Sequence, residues 1–178
     1  MASTRNHQRS LNLLGALALG LSDRFHTAVE TSTGYGGETP AAIVSLGTEP
    51  GISINMLRQI LNLSHPGTVR LIDRLEKEGF VERRPGTDGR TLALFLTEAG
   101  RQQRQVILEQ RQQQLEVALN SLTAAEQQQL TTLVEKMLTA MTTGEMLANA
   151  LCRLCEVEVC PQDCCPVEQQ YRRSISKH

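Results

Sequence analysis

The sequence predicts a mainly α-helical protein with one small β-hairpin. Apolar residues recur at intervals of three and four through most of the 178-residue chain, a pattern typical of helices with one buried face. One stretch near the middle instead contains two short runs of β-forming residues, joined by the turn sequence Pro-Gly-Thr-Asp-Gly. Because 40% of the residues are apolar and only 3% are aromatic, the core must consist mostly of Leu, Ala, Ile and Val.

The first predicted helix covers about residues 8–31. Its apolar residues keep a helical spacing, at Leu14, Leu17, Leu21 and Phe25. Two arginines followed by the apolar run 11–21 also resemble a secretory signal. The helical spacing continues past the region where such a signal would be cleaved, and the run is too short to span a membrane. We therefore favour an amphipathic helix and expect no membrane contact.

A helix-turn-helix is predicted next. The glycine-rich stretch 31–40 ends the first helix, and Pro40 can open a short second one. Ser53 can cap a third helix, and Ser64 can cap a fourth after a tight turn. Gly79 ends the fourth helix. Two short helices joined by such a turn, the second of them capped, form the helix-turn-helix pattern.

The hairpin turns this pattern into a winged helix-turn-helix. Residues 80–84 are typical of one strand and residues 91–96 of the return strand. From Thr97 onward the helical spacing returns on a background of Gln and Arg. Thr123 and Glu126 form a capping box, which starts a last helix predicted to continue to about residue 154.

The long helices at both ends are predicted to be dimerisation helices that flank the winged domain. Their apolar stripes exceed what a small winged domain can cover, and a symmetric dimer would bury them. A coiled-coil-like hairpin within one chain is the alternative. The predicted units are an N-terminal dimerisation helix (1–38), the winged helix-turn-helix (39–97), C-terminal dimerisation helices (98–151) and a Cys-rich segment with a basic tail (152–178).

Nine residues of the winged region are candidates for contacting double-stranded DNA. Side chains near the start of the fourth helix would reach base edges in the major groove, and arginines of the hairpin would reach the minor groove or the phosphates. The candidates are Ser64, His65, Thr68, Arg70 and Arg74 in the helix, and Arg83, Arg84, Asp88 and Arg90 in the hairpin. Since residues 53–90 hold seven Arg/Lys and five Asp/Glu, the net charge of only +2 leaves a protein-interaction module with a structural metal as the alternative.

The run LNLSHPGTVRLIDRLEKEGFVERRPGTDGRTLALFLTEAG resembles the MarR family of bacterial transcription regulators. The resemblance extends over about residues 10–150. It implies a homodimer, acting as a repressor with two winged helices on a palindromic operator. The positions that match the family's DNA contacts are Ser64, His65, Thr68, Arg70, Arg84, Asp88 and Arg90. The sequence His65-Pro66-Gly67 departs from the usual start of the recognition helix.

The same resemblance implies a possible small-molecule effector, held between the dimerisation helices and the winged domain. It also implies a cytoplasmic, nucleoid-associated protein. An enzyme is not expected, because the chain offers no convincing nucleophile–base pair and no Gly-rich phosphate loop.

All five cysteines lie near the end of the chain, with the spacing C-x2-C-x4-C-x3-C-C-P. Thiolates are soft ligands that suit Zn²⁺ or iron–sulfur clusters, and Pro161 and Pro166 can turn the chain back on itself. We therefore predict a metal or iron–sulfur cluster, with zinc as the alternative metal. The predicted ligands are Cys152, Cys155, Cys160 and Cys165, with Cys164 as an alternative ligand.

A thiol redox switch is the second interpretation of this segment. Nearby arginines lower thiol pKa values, and several partners for disulfide exchange are at hand. The candidate redox residues are Cys152, Cys155, Cys160, Cys164 and Cys165. Cysteines that merely pack are the third interpretation.

Overall fold

The predicted fold class is confirmed by the computed structural model, which describes residues 2–86, 91–160 and 163–175. Within these ranges the elements are α1 (Ala2–Thr33), α2 (Thr39–Thr48), α3 (Ile54–Leu61), α4 (His65–Lys77), β1 (Val81–Pro85), β2 (Leu92–Leu96), α5 (Glu98–Leu119), α6 (Ala124–Met141), α7 (Glu145–Cys152) and α8 (Pro166–Ile175). The described part of the chain contains no helix with both the length and the apolar character needed to cross a membrane.

The helix-turn-helix is built by local caps. The side chain of Ser53 accepts a hydrogen bond from the N–H of Met56 at 3.1 Å and so starts α3. Asn62, with φ of 52°, ends α3 in the left-handed region, which Asn tolerates better than most residues. Ser64 then caps α4 by accepting from the N–H of Gly67 at 3.2 Å. Gly79, with φ of 78°, follows α4 and lets the chain enter the wing.

The wing consists of β1 and β2, which pair as antiparallel strands with Val81 opposite Leu96. The chain before α3 adds to the pair: the N–H of Gly51 donates to the carbonyl of Leu94 at 2.8 Å, and the N–H of Leu94 donates to the carbonyl of Ile52 at 3.0 Å. These bonds hold the start of the helix-turn-helix against the wing. The sequence did not predict this third strand-like segment, because 51–53 is too short to show a periodic pattern.

The core lies where α2 packs against α5 and the winged elements. Eight of the ten residues of α2 are buried, so this helix has no solvent face. Besides α5, it packs against α3 and β2. The fully buried large apolar residues are Ile43, Leu46, Leu57, Ile72, Leu75, Leu94, Ile107, Val29, Val44 and Val81.

The last long helix is shorter than the sequence predicted. The capping box of Thr123 and Glu126 is confirmed, but α6 ends at Met141. The hydroxyl of Thr142 donates to the carbonyl of Leu138 at 2.8 Å, the backbone of Thr142 is extended, and a short helix, α7, restarts after Gly144. A β-branched residue whose hydroxyl binds the preceding turn, followed by Gly, ends a helix even where the apolar spacing continues. Part of the predicted tail also forms a helix, α8.

Several large apolar side chains of the long helices are exposed in the single chain. No residue of α6 is buried among those described. The exposed apolar residues of α1 and α5–α6 include Leu11, Leu13, Leu14, Leu17, Leu19, Val117, Leu119, Leu133, Met137 and Met141. Apolar surface of this extent marks an interaction site in a protein of this size.

Gly100, in the first turn of α5, lies against the base of the wing. A Cβ atom at this position would be 2.1 Å from the carbonyl oxygen of Phe80. That carbonyl also accepts from the N–H of Thr97 at 3.0 Å, so it cannot move aside freely. We therefore expect Gly100→Ala to lower the free energy of unfolding by about 1–3 kcal/mol in urea denaturation.

Gly15→Ala is the matched control, because nothing lies within 4 Å of a Cβ at Gly15 in α1. Alanine favours helix over glycine, so this variant should be at least as stable as the wild type. Equal urea midpoints for Gly100→Ala and the wild type would show that the close packing at the wing base is absent.

Candidate nucleic-acid interface and thiol cluster

The start of α4 carries an exposed polar surface. Ser64, His65 and Arg70 are all exposed there. Within the described ranges the guanidinium of Arg70 forms neither an ion pair nor a hydrogen bond, so it is available to an external anion. The N-terminal N–H groups of a helix add a partial positive charge at the same end. Three of the predicted contact residues are therefore accessible in the N-terminal half of α4.

Thr68 does not belong to this surface. Its side chain is fully buried, and its hydroxyl donates to the carbonyl of Ser64 at 3.1 Å. The expectation that Thr68 lies on the exposed face is therefore wrong. The spacing explains the error: Thr68 precedes the buried residues Ile72 and Leu75 by four and seven positions, which places it on their face of the helix. Its role is to hold the first turn of α4.

Arg74 is exposed, but its guanidinium donates to the hydroxyl of Thr39, at the start of α2. Thr39 is itself buried. The bond therefore joins the last turn of α4 to the central helix of the core. Arg74, which was predicted to contact DNA, therefore has a hydrogen-bond partner within the protein.

Arg83 also has internal partners. It donates to Asp73 at 2.5 Å and to Glu76, both on α4, and only 18% of its side chain is exposed. It therefore connects the wing to α4 and neutralises the two carboxylates of that helix. From the sequence alone, Arg83 was predicted to contact DNA. Its acidic partners lie seven and ten positions earlier and in a different element, so this pairing cannot be recognised from the local sequence.

Arg84 is the more accessible arginine of β1, with 56% of its side chain exposed. It pairs with Glu82, and its guanidinium lies 4.7 Å from the centre of the Phe95 ring. A stacked guanidinium is held in a defined direction and still offers N–H donors to a phosphate. The predicted contacts Asp88 and Arg90 lie outside the described residues.

Two cysteines near the end of α7 form a thiol pair. Cys152 is the last residue of α7, and the N–H of Cys155 donates to its carbonyl at 2.8 Å. Hydrogen bonding with Cys152 and the nearby guanidinium of Arg111 lower the pKa of Cys155 to about 6, against the opposing effect of burial. The same pairing with Cys155, together with burial, raises the pKa of Cys152.

Cys160 and Cys165 also lie close enough for Cys165 to affect the pKa of Cys160. Burial and the proximity of Cys165 raise the pKa of Cys160 to about 11. All five cysteines are present as thiols. Across the described part of the chain, no group of three or more His, Cys, Asp or Glu side chains is arranged to hold a metal ion. Cys155, Cys160 and Cys165 all raise the pKa of Cys152, so these four thiols are neighbours. The metal or iron–sulfur cluster stays a prediction.

The thiol pair belongs to a segment that touches the winged domain, which we name the strap (residues 145–158). Its helix α7 packs against α3. The hydroxyl of Ser45, in α2, donates to the carbonyl of Arg153 at 3.5 Å, and Leu154 packs against the core. Beyond the strap, α8 packs against α6. The C-terminal residues therefore connect the winged domain with a long helix.

An ion pair fastens the far end of the strap. Arg104, in α5, reaches Glu158 at 3.4 Å, and only 14% of the arginine side chain is exposed. Arg104 crosses α2 at Gly47, where a Cβ would lie 2.2 Å from its Cδ. Nothing in the local sequence could have indicated this contact, since the two partners are 54 positions apart.

A cavity of about 210 Å³ lies beside the strap. Its apolar part comes from α1 and its positive charge from Arg111 and Arg153. The lining residues are Leu21, Ser22, Phe25, His26, Gly37, Glu38, Pro40, Ala41, Arg111, Leu115, Arg153 and Leu154. Arg111 and Arg153 could not be predicted as cavity residues, because they meet only when the strap folds back on α5.

Comparison with known proteins gives consistent results. Residues 38–91 match the model of the MarR family. The uncharacterised HTH-type transcriptional regulator YwhA of Bacillus subtilis (strain 168) is 33% identical over 84 residues, which are 47% of this chain and 60% of that protein. The chain thus matches somewhat less than two thirds of that relative's length.

Solved structures show the same fold. A MarR family protein from Bacillus stearothermophilus superposes with a TM-score of 0.71 at 24% identity, covering 78% of this chain and 97% of the other. MepR, a transcription regulator of the Staphylococcus aureus multidrug efflux pump MepA, gives a TM-score of 0.63 at 17% identity, over 72% of this chain and 95% of the other.

Proposed function

We propose that this chain is a member of the MarR family and acts as a DNA-binding transcription regulator, a repressor acting as a homodimer on a palindromic operator. The observation that carries the proposal is the surface at the start of α4. Ser64, His65 and Arg70 are exposed there, while Arg83 neutralises the acidic side chains further along the helix.

In this proposal the start of α4 enters the major groove. Arg70 donates to a base edge or a phosphate, and Ser64 and His65 lie near the bases. Arg84 contacts the phosphate backbone beside the groove. Arg90 at the wing tip, steadied by Asp88, reaches the minor groove; both are proposed from the family motif alone. The protein would act in the cytoplasm at the nucleoid, where the operator DNA is.

A dimer is proposed because the exposed apolar residues of α1 and α6 need a partner. A second copy of the chain, related to the first by a two-fold axis, presents the same apolar residues. The two copies then bury each other's exposed apolar side chains. It also gives two recognition helices, which would bind half-sites about one helical turn of DNA apart.

We expect the protein to select palindromic duplexes from a random-sequence DNA library and to bind them with strong salt dependence. Each phosphate neutralised by Arg or Lys contributes about −0.9 to the slope of log K against log salt. Fluorescence anisotropy between about 50 and 200 mM salt measures this slope. Failure to enrich any sequence, together with a flat salt dependence, would favour the alternative, a winged-helix module that binds proteins.

A small-molecule effector is proposed for the cavity between α1, α5 and the strap. Its apolar wall and the guanidinium groups of Arg111 and Arg153 suit an apolar anion, for example an aliphatic carboxylate such as octanoate. Release of the selected duplex by octanoate, lost in Arg111→Ala, would support this site. Release that is unchanged in that variant would place the effector elsewhere.

For the cysteine segment we propose a sensory role. Cys152, Cys155, Cys160 and Cys165, with Cys164 as the alternative, would be the ligands of a metal ion or iron–sulfur cluster if one binds, and thiolates would supply the soft donors that such groups prefer. Anaerobic purification followed by an absorption spectrum and metal analysis tests this. A purified protein that is colourless and metal-free but still responds to oxidants would contradict the proposed metal site.

A further inference from the structure

We propose that the strap is a positioning element for DNA binding, which holds the helix-turn-helix in one orientation against the long helices, and that the ion pair of Arg104 with Glu158 keeps it closed. Both are positioning residues, because neither belongs to the surface at the start of α4. The effect on DNA binding rests on the proposed function. The hold of the strap on α3 does not, because it acts within one chain and needs no DNA.

The strap connects two parts of the chain, the winged domain and the long helices. Its helix α7 packs against α3, the first helix of the helix-turn-helix, and α3 in turn packs against α4. The same helix α7 also contacts α8, which packs against α6. A movement of α3 relative to the long helices must therefore break contacts that the strap makes.

The strap is loosely packed against the winged domain along its middle. The hydroxyl of Ser45 reaches the carbonyl of Arg153 at 3.5 Å, which is long for a hydroxyl donor. A cavity of about 40 Å³ lies between α2, α3 and α7, and Ile60 and Asn149 are among the residues that line it. Atoms beside such a gap lack van der Waals partners on one side. The strap therefore depends on the contact at its far end to stay in place.

That far end is held by an arginine whose burial makes it dependent on its partner. Only 14% of the Arg104 side chain is exposed, and its guanidinium lies 3.4 Å from the carboxylate of Glu158. Its Nε is buried and has no hydrogen-bond partner among the described residues. A charge withdrawn from water in this way is stabilised by an opposite charge nearby, and loss of that charge is costly. Glu158 therefore closes the strap onto α5.

Gly47 provides a second observation for the same contact. It lies inside α2, although glycine favours a helix less than alanine does. A Cβ atom at this position would lie 2.2 Å from Cδ and 2.6 Å from Nε of Arg104. The arginine therefore crosses α2 on its way from α5 to Glu158. A single side chain thus ties together α5, α2 of the winged domain and the strap.

A fixed orientation of the helix-turn-helix matters because a palindromic duplex offers its two half-sites at one spacing and one rotation. Each base pair added between the half-sites moves them apart by about 3.4 Å and turns them by roughly one tenth of a helical turn. A dimer with a closed strap should therefore bind one spacing well and others poorly. A dimer with an open strap should discriminate less between spacings. An ion pair that served stability alone would not change this discrimination.

The experiment replaces Glu158 by Gln in the full-length protein, which removes the charge and keeps the shape of the side chain. We expect hydrogen–deuterium exchange of α3 and α7 in the DNA-free protein to be faster than in the wild type. Affinity for the selected palindromic duplex, measured by fluorescence anisotropy, should fall by about 2–30-fold, the range for residues that couple parts of a protein without contacting its ligand. The preference for this duplex over one with an added central base pair should fall as well.

Glu156→Gln is the matched control. It removes the same charge from the strap, and the Glu156 carboxylate forms neither an ion pair nor a hydrogen bond within the described ranges. This variant should match the wild type in exchange, affinity and preference for spacing.

Gly47→Ala approaches the same contact from α2, because the added Cβ displaces Arg104. It should reproduce the effects of Glu158→Gln. The double variant should bind about as weakly as the weaker single variant, since both changes break one contact. If Gly47→Ala is not folded by circular dichroism, the comparison of Glu158→Gln with Glu156→Gln still decides.

Three results would overturn the inference: exchange of α3 that is unchanged in Glu158→Gln, a preference for spacing that is unchanged in this variant, or effects of the same size in Glu156→Gln. A protein that selects no DNA, although Glu158→Gln still speeds the exchange of α3, would contradict the proposed function and leave the hold of the strap on α3 standing.

Discussion

A chain with Asp in place of both Leu14 and Leu17 is expected to be a monomer and to lose most of its operator affinity. Both leucines lie on α1 and are about half exposed in the single chain, at 49% and 50%. If α1 packs against a second copy, two carboxylates would be buried there without partners, a cost that association cannot offset. One recognition helix alone would remain, and affinity should fall by about 10²–10⁴-fold, the usual gain from linking two binding events.

Sedimentation equilibrium measures the mass of the variant, and anisotropy on the selected duplex measures its affinity. Asn12→Asp, an exposed polar position in the same helix, is the matched control for added charge and should stay dimeric. Circular dichroism should show unchanged helix content in both variants. A double variant that sediments as a dimer would mean that α1 does not form the interface.

Replacing Arg70 by Ala is expected to weaken binding to the selected duplex by about 5–150-fold, equivalent to roughly 1–3 kcal/mol. Arg70 is exposed near the start of α4 and keeps its guanidinium free of partners in the described part of the chain, so its full hydrogen-bonding capacity is available to DNA. Because no internal contact is lost, the stability of the free protein should not change.

The salt dependence distinguishes the two kinds of contact that Arg70 could make. Loss of a phosphate contact lowers the salt slope by about one and weakens all sequences alike, whereas loss of a base contact relaxes the preference at one position of the half-site. Lys136→Ala in α6 removes the same charge outside the winged domain and should bind normally. Equal affinity of Arg70→Ala and Lys136→Ala would show that the start of α4 does not contact the DNA.

Arg74 and Arg83 show why a candidate site cannot be taken from charge and position alone. Both were predicted as DNA contacts, and both have internal partners, Thr39 for one and two carboxylates of α4 for the other. Substitution of either would disturb how α4 is held before it disturbed any contact with DNA. Their variants would therefore lose stability and affinity together, unlike Arg70→Ala.

The sequence by itself determined the elements of the winged domain. Ser53 and Ser64 cap the two helices, Gly79 ends the second, and a continuous run of apolar residues forms the return strand of the wing. These signals are complete within a few residues, because a cap bonds to an N–H two or three positions away and amphipathic spacing repeats every turn. The resemblance to the MarR family was also carried by one continuous run of residues.

The tertiary structure alone decided which side chains are available. It buried Thr68, gave internal partners to Arg74 and Arg83, ended α6 at Met141 and folded the strap back onto α3. It also placed the thiol pair next to Arg111. The physical reason is distance along the chain: burial and ion pairing depend on groups that meet only after folding, as the 54 positions between Arg104 and Glu158 illustrate. Spacing within one helix cannot specify a partner that lies in another.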